Sequence, residues 1–157
     1  MARVRASTSS PRTAGAQAIR WLARREHSRV ELEQKLSAKG WDKSEVRDAL
    51  DELTALGYLS DARYAHALTA QKAGRYGRRG IAAELKAKGV GSREIGDALA
   101  QASLDDEAAL TALWQRRFGR APANEREKAR QVRFLQSRGF ALSAILKLLR
   151  RSDASGS

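Results

Sequence analysis

The stretch Leu32–Trp41, LEQKLSAKGW, decides the fold because it occurs three times. Ile81–Val90 reads IAAELKAKGV, and Gln131–Phe140 reads QVRFLQSRGF. Each is a basic helix that ends in Lys or Arg, then Gly, then an apolar residue. The three glycines, Gly40, Gly89 and Gly139, stand 49 and 50 residues apart. Four residues before each lies Leu36, Leu85 or Leu135. Six residues after lies Val46, Ile95 or Ile145, and ten after lies Leu50, Leu99 or Leu149.

Physical chemistry explains this register. A glycine just past a helix takes the left-handed conformation that satisfies the last carbonyls, and the next apolar residue folds back onto that helix. Lys39, Lys88 and Arg138 complement the negative end of the helix dipole. The helix that follows carries an apolar stripe at three- and four-residue spacing. In the first copy it is Val46, Ala49, Leu50, Leu53, and in the third Leu142, Ile145, Leu146, Leu149.

Helix starts are also legible. Ser28 with Glu31, Asp42 with Glu45, and Asn124 with Glu127 form capping-box patterns. A further helix precedes each copy, over about 14–25, 61–73 and 105–119, with Tyr64 and Trp114 at equal distances from their glycines. Composition agrees. Ala and Leu total 47 residues against 14 Val, Ile and Thr, with two prolines, which favours helix over strand. The expected fold is all-α, with three tandem three-helix repeats forming an elongated, curved array. The expected division is a flexible basic leader at 1–14, repeats at 15–57, 58–103 and 104–151, and a flexible tail at 152–157.

Within the sequence, Leu56–Ala65 (LGYLSDARYA) followed by Gly74–Val90 (GRYGRRGIAAELKAKGV) resembles the bacterial RecX family. The likeness extends over roughly 15–151. It is weakest in the third repeat, where Ala121–Asn124 is inserted before the second helix. Ser60-Asp61 offers one acid where the family often has two. The resemblance implies a non-enzymatic modulator of the RecA recombinase, usually an inhibitor. Such a protein would dock in the groove of the RecA–DNA filament and hinder ATP hydrolysis, strand exchange and repressor autocleavage during recombination and the SOS response.

The chain of 157 residues contains no Cys, so thiol catalysis, Cys-based zinc sites and disulfides are excluded. A cytoplasmic protein is the expectation. No apolar run approaches the roughly 18 residues of a membrane span, and Met1–Gly15 lacks the apolar region of a secretory signal. His27 and His66 are the only histidines, and neither has a metal-ligating partner at helical spacing. The Gly74/Gly77/Gly80 segment lacks the Lys-Ser/Thr of a phosphate loop and follows a helix, so a turn carrying Arg is the simpler reading. No catalytic residue, metal site or cofactor is expected.

Charge gives the partner class. The chain carries +12. Residues 61–90 hold seven cations against two acids, and 116–138 hold eight against two, whereas 42–61 holds six acids against two cations. Such asymmetry favours an anionic partner for the middle and C-terminal repeats. The candidate contact residues are Arg75, Arg78, Arg79, Lys86 and Lys88 in one cluster and Arg126, Lys128, Arg130 and Arg133 in another. Tyr76, flanked by Gly and Arg, is the candidate for base stacking or protein contact. Trp21, Trp41, Tyr64, Trp114, Phe134 and Phe140 fall at core positions. The expected partners are the RecA filament and single- or double-stranded DNA bound non-specifically and salt-sensitively, by a monomer with no membrane contact. Two other readings stand beside it, a basic helical module acting directly on DNA and a helical scaffold for another acidic partner. The acidic third helix of the first repeat argues against sequence-specific binding in a major groove.

Overall fold

The structure, a computed structural model, describes residues 11–156. Among them nine helices follow one another: α1 (Ala14–Leu22), α2 (Arg29–Ala38), α3 (Lys43–Ala55), α4 (Asp61–Lys72), α5 (Arg78–Ala87), α6 (Ser92–Gln101), α7 (Asp106–Arg117), α8 (Glu125–Ser137) and α9 (Leu142–Ser155). They fall into three groups of three, as the glycine register requires.

The caps form largely as read. Thr13 accepts a hydrogen bond from the Ala16 amide at the start of α1. Ser28 and Glu31 make a reciprocal capping box on α2. Ser60 Oγ accepts from the Arg63 amide and caps α4. Two of the expected boxes differ in detail. Asp42 accepts from the Ser44 amide. Asn124 accepts from the Glu127 amide, but the Glu127 carboxylate reaches one residue further back, to the Ala123 amide. That bond ties the inserted Ala121–Asn124 segment to α8.

At the repeat glycines φ is +98° for Gly40, +79° for Gly89 and +88° for Gly139. The Gly40 amide donates to the Ser37 carbonyl and the Trp41 amide to the Leu36 carbonyl, and Gly139 and Phe140 repeat the pair with Gln136 and Leu135. These are the two bonds of a Schellman stop, and only glycine takes this backbone conformation without strain.

By packing, the chain separates into two compact units. The first reaches to Tyr64 and includes Lys88–Val90; the second holds Ala65–Ala87 and continues from Gly91. In the first unit α1, α2 and α3 close on Ala14, Ala18, Leu32, Leu36, Val46, Leu50, Leu53 and Leu59, with Trp21 and Trp41 at the margin. In the second, α7, α8 and α9 close on Ala109, Leu110, Leu113, Trp114, Leu135, Phe140, Ile145 and Leu149. Also in the second unit, α5 packs on α6, and Ala65, Leu68, Ile81, Leu85, Ala98 and Leu99 are buried.

The termini qualify two expectations. Of the leader expected at 1–14, residues 1–10 lie outside the described residues, and α1 already begins at Ala14. The tail expected at 152–157 is corrected over most of its length, since α9 runs on through Ser155. Ser152 and Ser155 donate their hydroxyls to the Leu149 and Arg151 carbonyls, so these small polar residues continue the helix. Ser157 lies outside the described residues.

Candidate interaction surface

Consecutive repeats meet through one joint, which each unit contains once. In the first unit the Ser28 hydroxyl donates to the Lys88 carbonyl at 2.8 Å, and the Arg29 amide donates to Asp61 at 2.8 Å. In the second unit the Gly77 amide donates to the Arg138 carbonyl at 2.8 Å, and the Arg78 amide donates to Asp106 at 3.1 Å. Ser28 and Gly77 hold equivalent positions before the second helix of a repeat. Lys88 and Arg138 both precede a repeat glycine. Asp61 and Asp106 both open the next repeat's first helix, where they satisfy a free amide at a neighbouring helix start.

The two joints differ in how closely the backbones approach. A Cβ on Gly77 would lie 2.5 Å from the Gly139 carbonyl oxygen, and one on Gly80 would lie 2.8 Å from that of Arg138. A Cβ on Gly139 would overlap the Gly80 amide. The segment expected to be a simple turn is therefore a pair of packing glycines. In the first joint the side chains of Ser28 and Val30 occupy the corresponding space, and a Cβ on Gly89 would overlap Val30.

The first joint carries a polar cluster. Arg25 grips Glu31 through both guanidinium nitrogens, at 2.6 and 3.2 Å. Burial raises the Glu31 carboxyl, but the Arg25 fork outweighs it and holds the group below its usual range. His27 is buried, with Nδ1 3.1 Å from the Arg25 carbonyl and Nε2 3.0 Å from Lys35 Nζ. A neutral ring that donates from Nδ1 and accepts at Nε2 satisfies both. Burial is the main cause that lowers its pKa, and the Arg25 and Lys35 charges add to it. Lys35 also lies 4.3 Å over the Trp21 ring.

The cations differ in their pairing. In the first unit Arg25 pairs with Glu31, Arg29 with Glu33 and Asp51, Arg47 with Asp48, and Arg63 with Glu26. In the second, Arg78, Arg79 and Lys86 are exposed on α5, and Arg126, Arg130 and Arg133 are exposed on α8; none is ion-paired with a described residue. Arg126, Arg130 and Arg133, four and then three residues apart, share one face of α8. The structure separates the other candidates from these rows. Arg75 folds back onto the Gln71 carbonyl at 2.8 Å. Lys88 is half-buried and belongs to the first unit. Lys128 is half-buried beside Asn124, Glu125, Arg150 and Asp153.

Tyr76 is half-buried between two cations, with Lys72 Nζ 4.7 Å and the Arg138 guanidinium 5.0 Å from its ring centre. Arg138 also donates to the Tyr76 hydroxyl at 2.5 Å. The same guanidinium lies 5.0 Å from the Phe134 ring, and Arg117 lies 4.8 Å from that ring. Lys72, Tyr76, Arg138, Phe134 and Arg117 thus form a ladder of alternating cations and rings. Sequence reading missed it, because Phe134 had the spacing of a core residue and Arg138 that of a helix-end cation.

Among the described residues no group of three or more acids and histidines is arranged to hold a metal ion, and no helix is long and apolar enough to cross a membrane.

Comparison with known proteins adds three findings. Sequence models of the first, second and third three-helix domains of RecX match residues 14–53, 60–99 and 105–149. Regulatory protein RecX of Leptothrix cholodnii is 43% identical over 136 residues, spanning 87% of each chain. That of Ralstonia nicotianae is 38% identical over 144 residues, 92% of this chain and 91% of the relative. Among solved structures, a crystal structure of regulatory protein RecX superposes with a TM-score of 0.69 at 20% identity, over 88% of this chain and 71% of that one. The crystal structure of RecX from Lactobacillus salivarius gives 0.65 at 18% identity, over 90% and 95%. These two establish the common fold.

Proposed function

The chain belongs to the RecX family of regulatory proteins, and on that premise we propose that it is a non-enzymatic regulator of the RecA recombinase. It binds the groove of the RecA–DNA filament and lowers RecA's ATP hydrolysis, strand exchange and co-protease activity. It acts in the cytoplasm as a monomer.

One observation carries the contact assignment: Arg78, Arg79 and Lys86 on α5 and Arg126, Arg130 and Arg133 on α8 are exposed and not ion-paired with a described residue, while Arg25, Arg29 and Arg63 of the first unit are held in ion pairs. Cations needed only for local pairing would have carboxylates beside them. A row of free Arg side chains instead suits the phosphates and carboxylates of a large partner. Three repeats supply distributed contacts, which a filament groove needs and a single pocket would not provide.

The test is RecA's DNA-dependent ATP hydrolysis with single-stranded DNA in excess and this protein titrated below the RecA concentration. Inhibition well below stoichiometry places the action on the filament. Inhibition that appears only when the protein is abundant enough to coat the DNA overturns the proposal in favour of a direct DNA binder.

A further inference from the structure

We propose that the ladder Lys72–Tyr76–Arg138–Phe134–Arg117 is a single-strand site, which stacks unpaired nucleic-acid bases beside the cation row of α8. The ladder and the row meet on α8 at Phe134. Arg126, Arg130 and Phe134 follow at four-residue spacing, so the exposed cations lead along the α8 surface to the Phe134 ring. Phosphates would track the arginines, and bases would stack at the exposed Arg117–Phe134 end, which the rest of the ladder holds in place. That pairing of a charged track with stacking surfaces is how single strands are held without sequence preference.

The two ends of the ladder are not equally fixed. At one end Lys72 is half-buried and lies 3.8 Å from Glu84. Arg138 is held in the middle by its bond to the Tyr76 hydroxyl and, through its carbonyl, by the Gly77 amide. At the other end Arg117 is exposed and touches Phe134 with no carboxylate on it among the described residues. A base can stack on the open face of the Arg117 guanidinium, or take its place on Phe134 while the freed Arg117 turns to a phosphate. Phe118 meets Phe134 edge-on, with centroids 5.6 Å apart, and fixes the ring from the core side. A duplex hides its base faces and cannot use the rings, so the site selects single strands.

This inference rests on the reading of α8 as a contact surface, and its test omits RecA so that the two can fail separately. The probes are a fluorescein-labelled oligothymidylate of about 20 nucleotides, an abasic strand of equal length, and a duplex of equal length, with anisotropy read over a salt series. The full-length protein should bind oligothymidylate roughly tenfold more tightly than the abasic strand, the size expected of one or two stacked bases. Both strands should show the same salt slope, since their phosphates are the same. Tyr76→Leu and Phe134→Leu should each cut that preference several-fold while keeping the helicity of the parent and at least its affinity for the abasic strand, since the cations released from the rings still meet phosphates; a misfolded variant could not do this. Tyr76 lies outside the third-repeat core cluster, so its variant stands as the test if Phe134→Leu does not fold. Equal affinity of the parent for the two strands, retention of the preference in both variants, or tighter binding of the duplex than of oligothymidylate overturns the proposal.

Discussion

The Ser28 hydroxyl donates to the Lys88 carbonyl at 2.8 Å while accepting the Glu31 amide at 3.1 Å, so one side chain both caps α2 and joins two repeats. Ser28 is fully buried, and no water is needed to complete its bonding. Replacing it by Ala removes the cap and leaves the Glu31 amide without its side-chain partner. Ser28→Ala should therefore lower stability by about 2 kcal/mol, the sum of a lost cap and a lost buried hydrogen bond. Urea unfolding followed by circular dichroism measures this. A loss within a few tenths of a kcal/mol would mean that the joint is not held there.

The repeat glycines should not be equally sensitive to alanine. A Cβ on Gly40 meets nothing within 4 Å, so Gly40→Ala should cost only the left-handed backbone penalty, about 1–2 kcal/mol. A Cβ on Gly139 overlaps the Gly80 backbone, which has no side chain to swing aside. Gly139→Ala must pry the joint open and should cost at least about 3 kcal/mol, with strain and overpacking combined. Equal losses for the two variants, by denaturant midpoint, would show that the close approach is not a constraint.

These two positions mark what the sequence discloses. The three helix stops were legible because a glycine, its basic neighbour and the apolar residue after it recur at nearly constant spacing, and each stop is made within six residues. The joints were not legible. Ser28 and Lys88 are 60 residues apart and meet through a single hydroxyl. Gly77 and Gly80 read as turn residues because their reason for being small lies across the joint, on Gly139. The cation clusters were found by counting charge, which locates a region but not a face. Counting could not tell that Arg75 turns back to a carbonyl and that Lys88 sits in a joint, while Arg126, Arg130 and Arg133 stand free.

Buried His27 makes stability depend on pH. Its folded pKa lies below the usual value near 6.5, because burial and the Arg25 and Lys35 charges oppose protonation. In the unfolded chain the ring takes up a proton as pH falls through about 6.5, while in the fold it does so only at lower pH. The unfolded state then binds more protons, so stability is full above that value and declines as pH drops. The slope cannot exceed about 1.4 kcal/mol per pH unit for one group. Glu31, held below its usual carboxyl range, contributes its own loss only below about pH 4.5. Unfolding free energies between pH 7 and 5 should fall more steeply for the parent than for His27→Gln, whose side chain does not titrate. Parallel profiles would remove His27 as the source.

Charge removal on α8 separates contact from solvation. Neutralising Arg126, Arg130 and Arg133 together to Gln leaves the apolar face of α8 untouched, since all three side chains are exposed and unpaired. Helicity by circular dichroism should stay the same. If each arginine meets one phosphate or carboxylate of the partner, the concentration needed for half-inhibition of RecA's ATP hydrolysis should rise at least about tenfold at moderate salt. For phosphate contacts, the slope of log affinity against log salt should shrink by up to about 2.7 units. Neutralising Asp48 and Glu52 to Asn and Gln on the exposed acidic face of α3 removes charge of the opposite sign, so it should not weaken inhibition. A triple α8 variant that inhibits as well as the parent, with an unchanged salt slope, would show that the arginine row only keeps the helix solvated.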